Sequence, residues 1–239
     1  MASEILTSSN SFRMIGKRLS IAILADGNYP TAEYPLSLLK EADYLICCDA
    51  SVLKLKGIAP HYIVGDMDTL PAKYKELYKD IIVQSSCQET NDQTKAFSFA
   101  LGLVPPGEEA DIHILGNTGG REDHTLGNIS LLMEYTSRTG MPIEPFGNMM
   151  HNGISVDIVT DHGVFTPHYN SFEKESRKGQ QISIISFDNT LRIKSEGLVY
   201  PTDDAIFQFW WRGTLNESAG NRFSLEFSHP APVILFALY

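Results

Sequence analysis

The chain has 239 residues, 43% of them hydrophobic, and carries a formal net charge of −10. That length holds one large domain or two small ones, and the hydrophobic share excludes wholesale disorder. The acidic balance argues against non-specific nucleic-acid binding, and it requires a metal, an arginine or backbone N–H groups to hold any anionic substrate.

Residues 1–20 are polar and Ser-rich, with basic Arg13, Lys17 and Arg18 but no continuous apolar core. They read as a poorly ordered leader rather than a secretory signal. No stretch approaches the roughly 20 apolar residues of a membrane span, so no membrane partner is expected. From Ile21 onward, apolar runs alternate with helix-period segments. Ile21 to Ala25 reads as a strand, followed by a helix through Leu36, Leu38 and Leu39. Tyr44 to Cys48 is the next strand, with a helical stretch around Val52 to Leu55. His61 to Val64 is the third, and a helix opens at Pro71, a residue favoured in the first turn. Ile81 to Gln84 and Ile112 to Leu115 follow. Thr90 and Gln93 have the spacing of a capping box, ahead of an apolar face of Ala96, Phe97, Ala100 and Leu101. A further helix is expected from about Asp123, with Leu126, Ile129 and Met133 on one side.

Continuous apolar strands alternating with helices indicate a parallel sheet covered on both faces. Beyond the Pro142 region the pattern changes. Ile154 to Val159 and Val164 to His168 read as edge strands or a hairpin of the first domain. After residue 170 only strand patterns remain: Gln181 to Phe187, Leu191 to Lys194, Ala205 to Trp211, Phe223 to Phe227 and Val233 to Leu238. Short strands separated by turn signals fit a small β-sandwich. The expected organisation is a Rossmann-like α/β domain over 21–169 with a mostly parallel sheet, then a β-sandwich over 170–239, parted at the polar stretch Tyr169 to Gly179.

Cysteine occurs three times, as Cys47, Cys48 and Cys87, too few and too irregular for a disulfide framework. A reducing cytoplasm is the simplest home, and the adjacent pair reads as packing in an apolar strand. The seven histidines show no metal-ligand spacing, so no zinc site is expected.

Three acidic clusters fall where strands should end. In an extended Gly65-Asp66-Met67-Asp68 the two carboxylates share one face and can share a cation, although a plain turn has the same composition. Asp92 lies in the first turn of a helix, where the macrodipole favours a carboxylate; Asn91 and Lys95 beside it allow a polar contact and a cation in the same cleft. Gly116-Asn117-Thr118-Gly119-Gly120-Arg121 leaves a strand and opens a helix. There Gly116 and Gly120 permit close backbone approach to a phosphate, and Arg121 offers a planar charged fork. The terminal Gly-Lys-Ser/Thr of a Walker A loop is absent. Together the clusters point to phosphate chemistry.

Gly65-Asp66-Met67-Asp68, the segment Gln88 to Lys95, Gly119-Gly120-Arg121-Glu122-Asp123 and Gly197-Leu198-Val199-Tyr200-Pro201, in this order, resemble the thiamine pyrophosphokinase family. The resemblance runs from about Ile21 to the C-terminus. It implies transfer of a pyrophosphoryl group from ATP to the hydroxyl of thiamine, giving thiamine diphosphate and AMP, by a homodimer with active sites between its subunits. It further implies that Asp66, Asp68 and Asp92 bind Mg²⁺, and that Arg121 and Asp123 serve the nucleotide and the transferring phosphates. Asp49, Gly116, Gly120 and Lys95 are expected around the ATP phosphates. Catalysis is expected from Asp66, Asp92 and Arg121. Gln88 and Asn91 would line the thiamine site, with Asn91 where the family often has threonine. Tyr200 would stack on thiamine, and Thr214 and Asn216 would complete its pocket, with Leu215 where a serine is common. Two other readings stay open: an inactive sensor of thiamine or nucleotide, and a diphosphotransferase acting on another heterocyclic alcohol.

Overall fold

A computed structural model describes residues 18–87, 89–138, 153–203 and 205–239. Strands β1 (Leu19–Leu24), β2 (Tyr44–Cys48), β3 (Tyr62–Gly65), β4 (Ile82–Gln84) and β5 (Ala110–Leu115) alternate with α1 (Glu33–Glu41), a 3-10 helix (Asp49–Lys54), α2 (Ala72–Leu77) and α3 (Asp92–Leu103). Next come α4 (Glu122–Arg138), β6 (Ile154–Val159), β7 (Gly163–His168), β8 (Phe172–Glu175), β9 (Gln181–Ser186), β10 (Ile193–Glu196), β11 (Gly213–Glu217), β12 (Arg222–Phe227) and β13 (Val233–Leu238).

Ten of these strands form one sheet in the order β11-β9-β13-β7-β6-β5-β1-β2-β3-β4. From β4 to β6 every pairing is parallel, and from β6 to β11 every pairing is antiparallel. The central strands β1, β2 and β3 are buried on both faces, which is why they read as nearly continuous apolar runs. On one face α3 and α4 bring Ala96, Phe97, Ala100, Leu132 and Tyr135 onto Ile21, Ile23, Ile112 and Ile114. On the other, Leu39, Val52, Met67 and Leu70 cover Ala22, Leu24, Leu45 and Ile63.

The antiparallel half is faced by a three-stranded sheet, β10-β12-β8. Phe223, Leu225 and Ile193 of the small sheet enclose a second core with Ile182, Ile184, Val233 and Leu235 of the large one. The β-sandwich is therefore built partly from a continuation of the Rossmann-like sheet. The expected boundary at 169/170 falls between β7 and β8. β6 and β7 do form a hairpin, but they occupy the middle of the sheet rather than an edge.

Two local expectations are corrected. Ala205 to Trp211 is not a strand: Phe207 is buried, but Phe209, Trp210 and Trp211 are exposed in consecutive turns. Alternation of aromatics imitated a strand that the sandwich had no room to cover. The strand lies just after it, at β11, where the pattern Gly-Thr-Leu-Asn-Glu carries no apolar alternation. Similarly, β8 sits inside the polar stretch assigned to the linker, because its Phe172 alone packs on the second core.

Candidate active site

Reading from β4, the parallel strands run β3, β2, β1, then β5, so the order of connection reverses between β1 and β5. A crevice opens at the carboxyl ends of the strands at such a reversal. Here it is a cleft of about 520 Å³ lined from the loops that follow all five of these strands.

Asp49, Asp66 and Asp92 converge in it, each offering a carboxylate oxygen within 4.8 Å of the others. Gly65 eases that approach, because a Cβ there would press on Asp49 Cβ at 3.1 Å and on the Asp92 carboxyl carbon at 3.3 Å. The backbone is strained on the same spot: Asp49 has φ 41° and Met67 φ 68°. Left-handed conformations are disfavoured for residues with a Cβ and persist where the surroundings impose them. The turn at Met67 buries that side chain and breaks the extended alternation expected of Asp66-Met67-Asp68. Asp68 is consequently exposed, outside the three-carboxylate group, with its N–H donating to Asp66 Oδ1 at 3.0 Å.

Asp49 is 4% exposed. Its Oδ2 accepts the Thr69 N–H at 3.3 Å, and its Oδ1 has no partner among the described residues. Burial pushes its pKa up, the bonds from Thr69 oppose this, and the charges of Asp92 and Asp66 push it up further. Lys95 reaches into the group, with Nζ 2.9 Å from Asp92 Oδ1 and 3.7 Å from Asp66 Oδ2. Burial lowers the Lys95 pKa, but the hydrogen bond and the charges of Asp92 and Asp66 outweigh it, so the net shift is upward and the ammonium stays charged.

Asn91 caps α3, its Oδ1 accepting the Thr94 N–H at 2.9 Å. The capping box expected from Thr90 and Gln93 does not form. The cap lies one residue later, and Gln93 is buried against α4. Facing it across the cleft, Gly120 and Arg121 open α4. Gly119 has φ 80°, and a Cβ there would strike the Asn28 side chain, so glycine is required for the turn. Gly116 turns the chain out of β5 and lies outside the cleft lining. Arg121 Nε and Nη2 donate to Asp123 Oδ1 and Oδ2 at 3.1 and 2.6 Å, on the exposed rim. That bidentate bond holds the Asp123 carboxyl below the usual range.

Of the residues expected to hold thiamine, Asn91 lines this cleft, whereas Tyr200, Thr214 and Asn216 lie elsewhere. Tyr200 is 63% exposed. The Asn216 side chain is committed to its backbone: Nδ2 donates to Tyr200 O at 2.7 Å, and Oδ1 accepts the N–H groups of Tyr200 and Glu217 at 3.2 and 2.8 Å. Thr214 is half-buried beside Leu215, which is 82% exposed at φ 62°. Neither Tyr200, Thr214 nor Asn216 lines the cleft of its own chain. Gln88 lies outside the described residues, as do residues 1–17 of the expected leader.

Sequence reasoning missed Asn117, Thr125 and Asn128, all in the cleft wall. Asn128 sits two turns into α4, where only the helical period, carried back from Arg121, could have signalled it.

With this geometry in hand, the thiamin pyrophosphokinase catalytic-domain model matches residues 36–144, and the thiamin pyrophosphokinase substrate-binding-domain model matches residues 163–233. The chain belongs to the thiamin pyrophosphokinase family. Thiamine pyrophosphokinase 1 of Oryza sativa subsp. japonica is 38% identical over 84 residues, which is 33% of this chain and 32% of that protein. The match thus spans about a third of the relative's length. The fold is that of thiamine pyrophosphokinase from Bacillus subtilis, with TM-score 0.70, 22% identity and coverage of 91% of this chain and 98% of that one. Thiamin pyrophosphokinase from Candida albicans also has TM-score 0.70, at 17% identity, covering 92% of this chain and 89% of that one. Among the described residues no helix is long and apolar enough to cross a membrane.

Proposed function

We propose that this chain transfers the pyrophosphoryl group of ATP to the hydroxyl of thiamine, giving thiamine diphosphate and AMP. The observation that carries the reading is the meeting of Asp49, Asp66 and Asp92 with the Gly120-Arg121 helix start in one cleft. A nucleotide triphosphate needs a cation on one side of its phosphates and hydrogen-bond donors on the other.

The donor set fits Mg²⁺: the cluster is all carboxylate, and the buried Asp49 Oδ1 has no partner that a cation would displace. Asp66 and Asp92, joined by Asp49, would hold the ion, with Asp68 a further candidate from the rim. When bound, it neutralises charge on the phosphates. Lys95 keeps Asp66 and Asp92 facing the cleft. Arg121, held ready on Asp123, turns its guanidinium to the phosphates. The thiamine oxygen bonds to the β-phosphorus as the bond from that phosphorus to the AMP oxygen breaks. Asp66 or Asp92 accepts the hydroxyl proton.

Tyr200, Thr214 and Asn216 point to a homodimer in which the sandwich domain of one subunit closes the cleft of the other. None of the three lines the cleft of its own chain, and Tyr200 is exposed, which supports this. An exposed tyrosine suits a cationic thiazolium ring. In this reading residues 21–169 handle the nucleotide, while 170–239 bind thiamine and dimerise. Three free cysteines fit a reducing cytoplasm.

Incubating the purified protein with ATP, Mg²⁺ and thiamine, and separating the products by chromatography, tests the reaction. Thiamine diphosphate and equimolar AMP, both lost on chelation, are expected. ADP with thiamine monophosphate, or no product, overturns it.

A further inference from the structure

The wall between the acidic cluster and the α4 start is made of four carboxamides. Asn128 is their hub. Its Oδ1 accepts Asn91 Nδ2 at 3.1 Å, its Nδ2 donates to the Asn117 carbonyl at 3.3 Å, and its own carbonyl accepts Gln93 Nε2 at 3.4 Å. Asn117 is 3% exposed and lines the cleft, yet its Oδ1 and Nδ2 both lack hydrogen-bond partners among the described residues. Gln93, 4% exposed, likewise leaves its Oε1 unpaired. Buried polar groups without partners are rare, and each calls for an explanation.

The Asp49 oxygen is explained by a cation, but Asn117 is not, because it presents a donor as well as an acceptor. Phosphate offers only acceptors and would leave the Asn117 Oδ1 unpaired. A ring nitrogen beside an exocyclic amine satisfies both ends at once, the pairing by which Asn and Gln recognise adenine. Among the described residues the side chain is committed to no hydrogen-bond partner. Its backbone is anchored by Asn128, and its loop is bounded by Gly116 and Gly119 at φ 65° and 80°.

We propose that Asn117 is a specificity residue whose carboxamide pairs with the ring-nitrogen and amine edge of an aminopyrimidine ring. This rests on the reaction proposed above, in which both substrates carry that edge: the adenine of ATP and the aminopyrimidine of thiamine. Asn128, with Asn91, is its positioning residue.

The test is a coupling between side chain and substrate. Steady-state rates are measured for the wild-type protein and for Asn117→Leu and Asn117→Asp. The substrates are intact ATP and thiamine, then each replaced in turn by its counterpart lacking the amine. Wild-type protein should lose about 10- to 100-fold in kcat/KM when the amine of one substrate is removed. The substrate that shows this loss is the one Asn117 reads. Asn117→Leu should show the same loss with the intact substrate and no further loss without the amine. A merely structural asparagine would leave amine discrimination unchanged in the variant, and that result overturns the inference. If circular dichroism shows Asn117→Leu unfolded, Asn117→Asp decides with a counterpart substrate lacking the ring nitrogen, because Asp keeps the acceptor for the amine and removes the donor to the ring nitrogen. Discrimination against that counterpart should vanish in Asn117→Asp, and unchanged discrimination overturns the inference. A wild-type protein that makes no thiamine diphosphate overturns the function itself. A folded, active Asn117→Leu that discriminates like the wild type overturns only the role of Asn117.

Discussion

The two halves of the ten-stranded sheet use opposite strategies. In the parallel half the central strands are buried on both faces, which leaves chemistry to the loops, and five of those at the carboxyl ends meet in one cleft. In the antiparallel half one face packs on the small sheet, and large apolar side chains are left exposed on turns and on the β11 edge strand: Tyr200, Leu215 and the aromatic run before it. Parallel order gathers loop residues into one cleft, whereas the sandwich leaves side chains exposed at its turns. Strain follows the same division. Of the three non-glycine residues with left-handed backbone among the described residues, Asp49 and Met67 lie at the acidic cluster, and Leu215 lies on the edge strand.

The sharpest way to break the comparison is to damage one half at a time and mix the products. Asp92→Asn should lower turnover by about 10²- to 10³-fold without unfolding the protein. Tyr200→Ala should raise KM for thiamine roughly tenfold, leaving KM for ATP unchanged. If one subunit's cleft works with another's Tyr200, co-expressed Asp92→Asn and Tyr200→Ala chains will regain a fully formed site in each mixed dimer. Activity well above the sum of the two parents, measured on purified mixed dimers, is the expected outcome. Simple averaging would place each site within one chain.

Histidines in the two halves should respond to pH with opposite sign. Burial drives the His168 pKa in β7 down to about 3, with the Lys174 charge adding to it. The folded protein therefore binds fewer protons than the unfolded chain below about pH 6.5, and stability falls on acidification. The penalty reaches about 2 kcal/mol at pH 5. His113 in β5 is the reverse. Burial lowers its pKa, but the 2.8 Å bond to Asp157 and the charges of Asp157 and Asp111 raise it net. Its contribution is complete below about pH 6.5 and is lost as pH rises through the raised value. Urea melts from pH 4.5 to 8.5 should show a flatter acid limb for His168→Gln and a flatter alkaline limb for His113→Asn. Two unaltered profiles would show that neither ring is held in these protonation states.

The smallest effect is local. Leu215→Gly relieves a left-handed backbone and should stabilise the fold by about 0.5 kcal/mol, the steric gain being partly offset by glycine's greater unfolded-state freedom. A lower melting temperature would mean that the exposed Leu215 side chain is covered by a partner subunit.

Asp66, Asp92 and Arg121 were legible because each follows an apolar strand or opens a helix, and such positions in a parallel sheet share one end of the fold. Asp49 was harder to place. It follows β2 too, but its approach to Asp66 and Asp92 is set by strand packing and eased by the missing side chain of Gly65. Asp68 looked equivalent to Asp66 at extended spacing, and a single left-handed residue separated them. The aromatic alternation at Phe207, Phe209 and Trp211 satisfied the strand period without the burial that makes a strand. Period alone does not distinguish a core face from a sticky turn.

The sequence by itself determined the α/β class, the five parallel strands, the acids and glycines at their ends, and the family, because these depend on local pattern and chain order. Tertiary structure alone decided that the sandwich continues the first sheet, that Asp49 completes the acidic group, and that Asn117 and Gln93 are buried with polar atoms unpaired. Those facts depend on distances between residues far apart in the chain, set by strand register and by how closely two backbones pack.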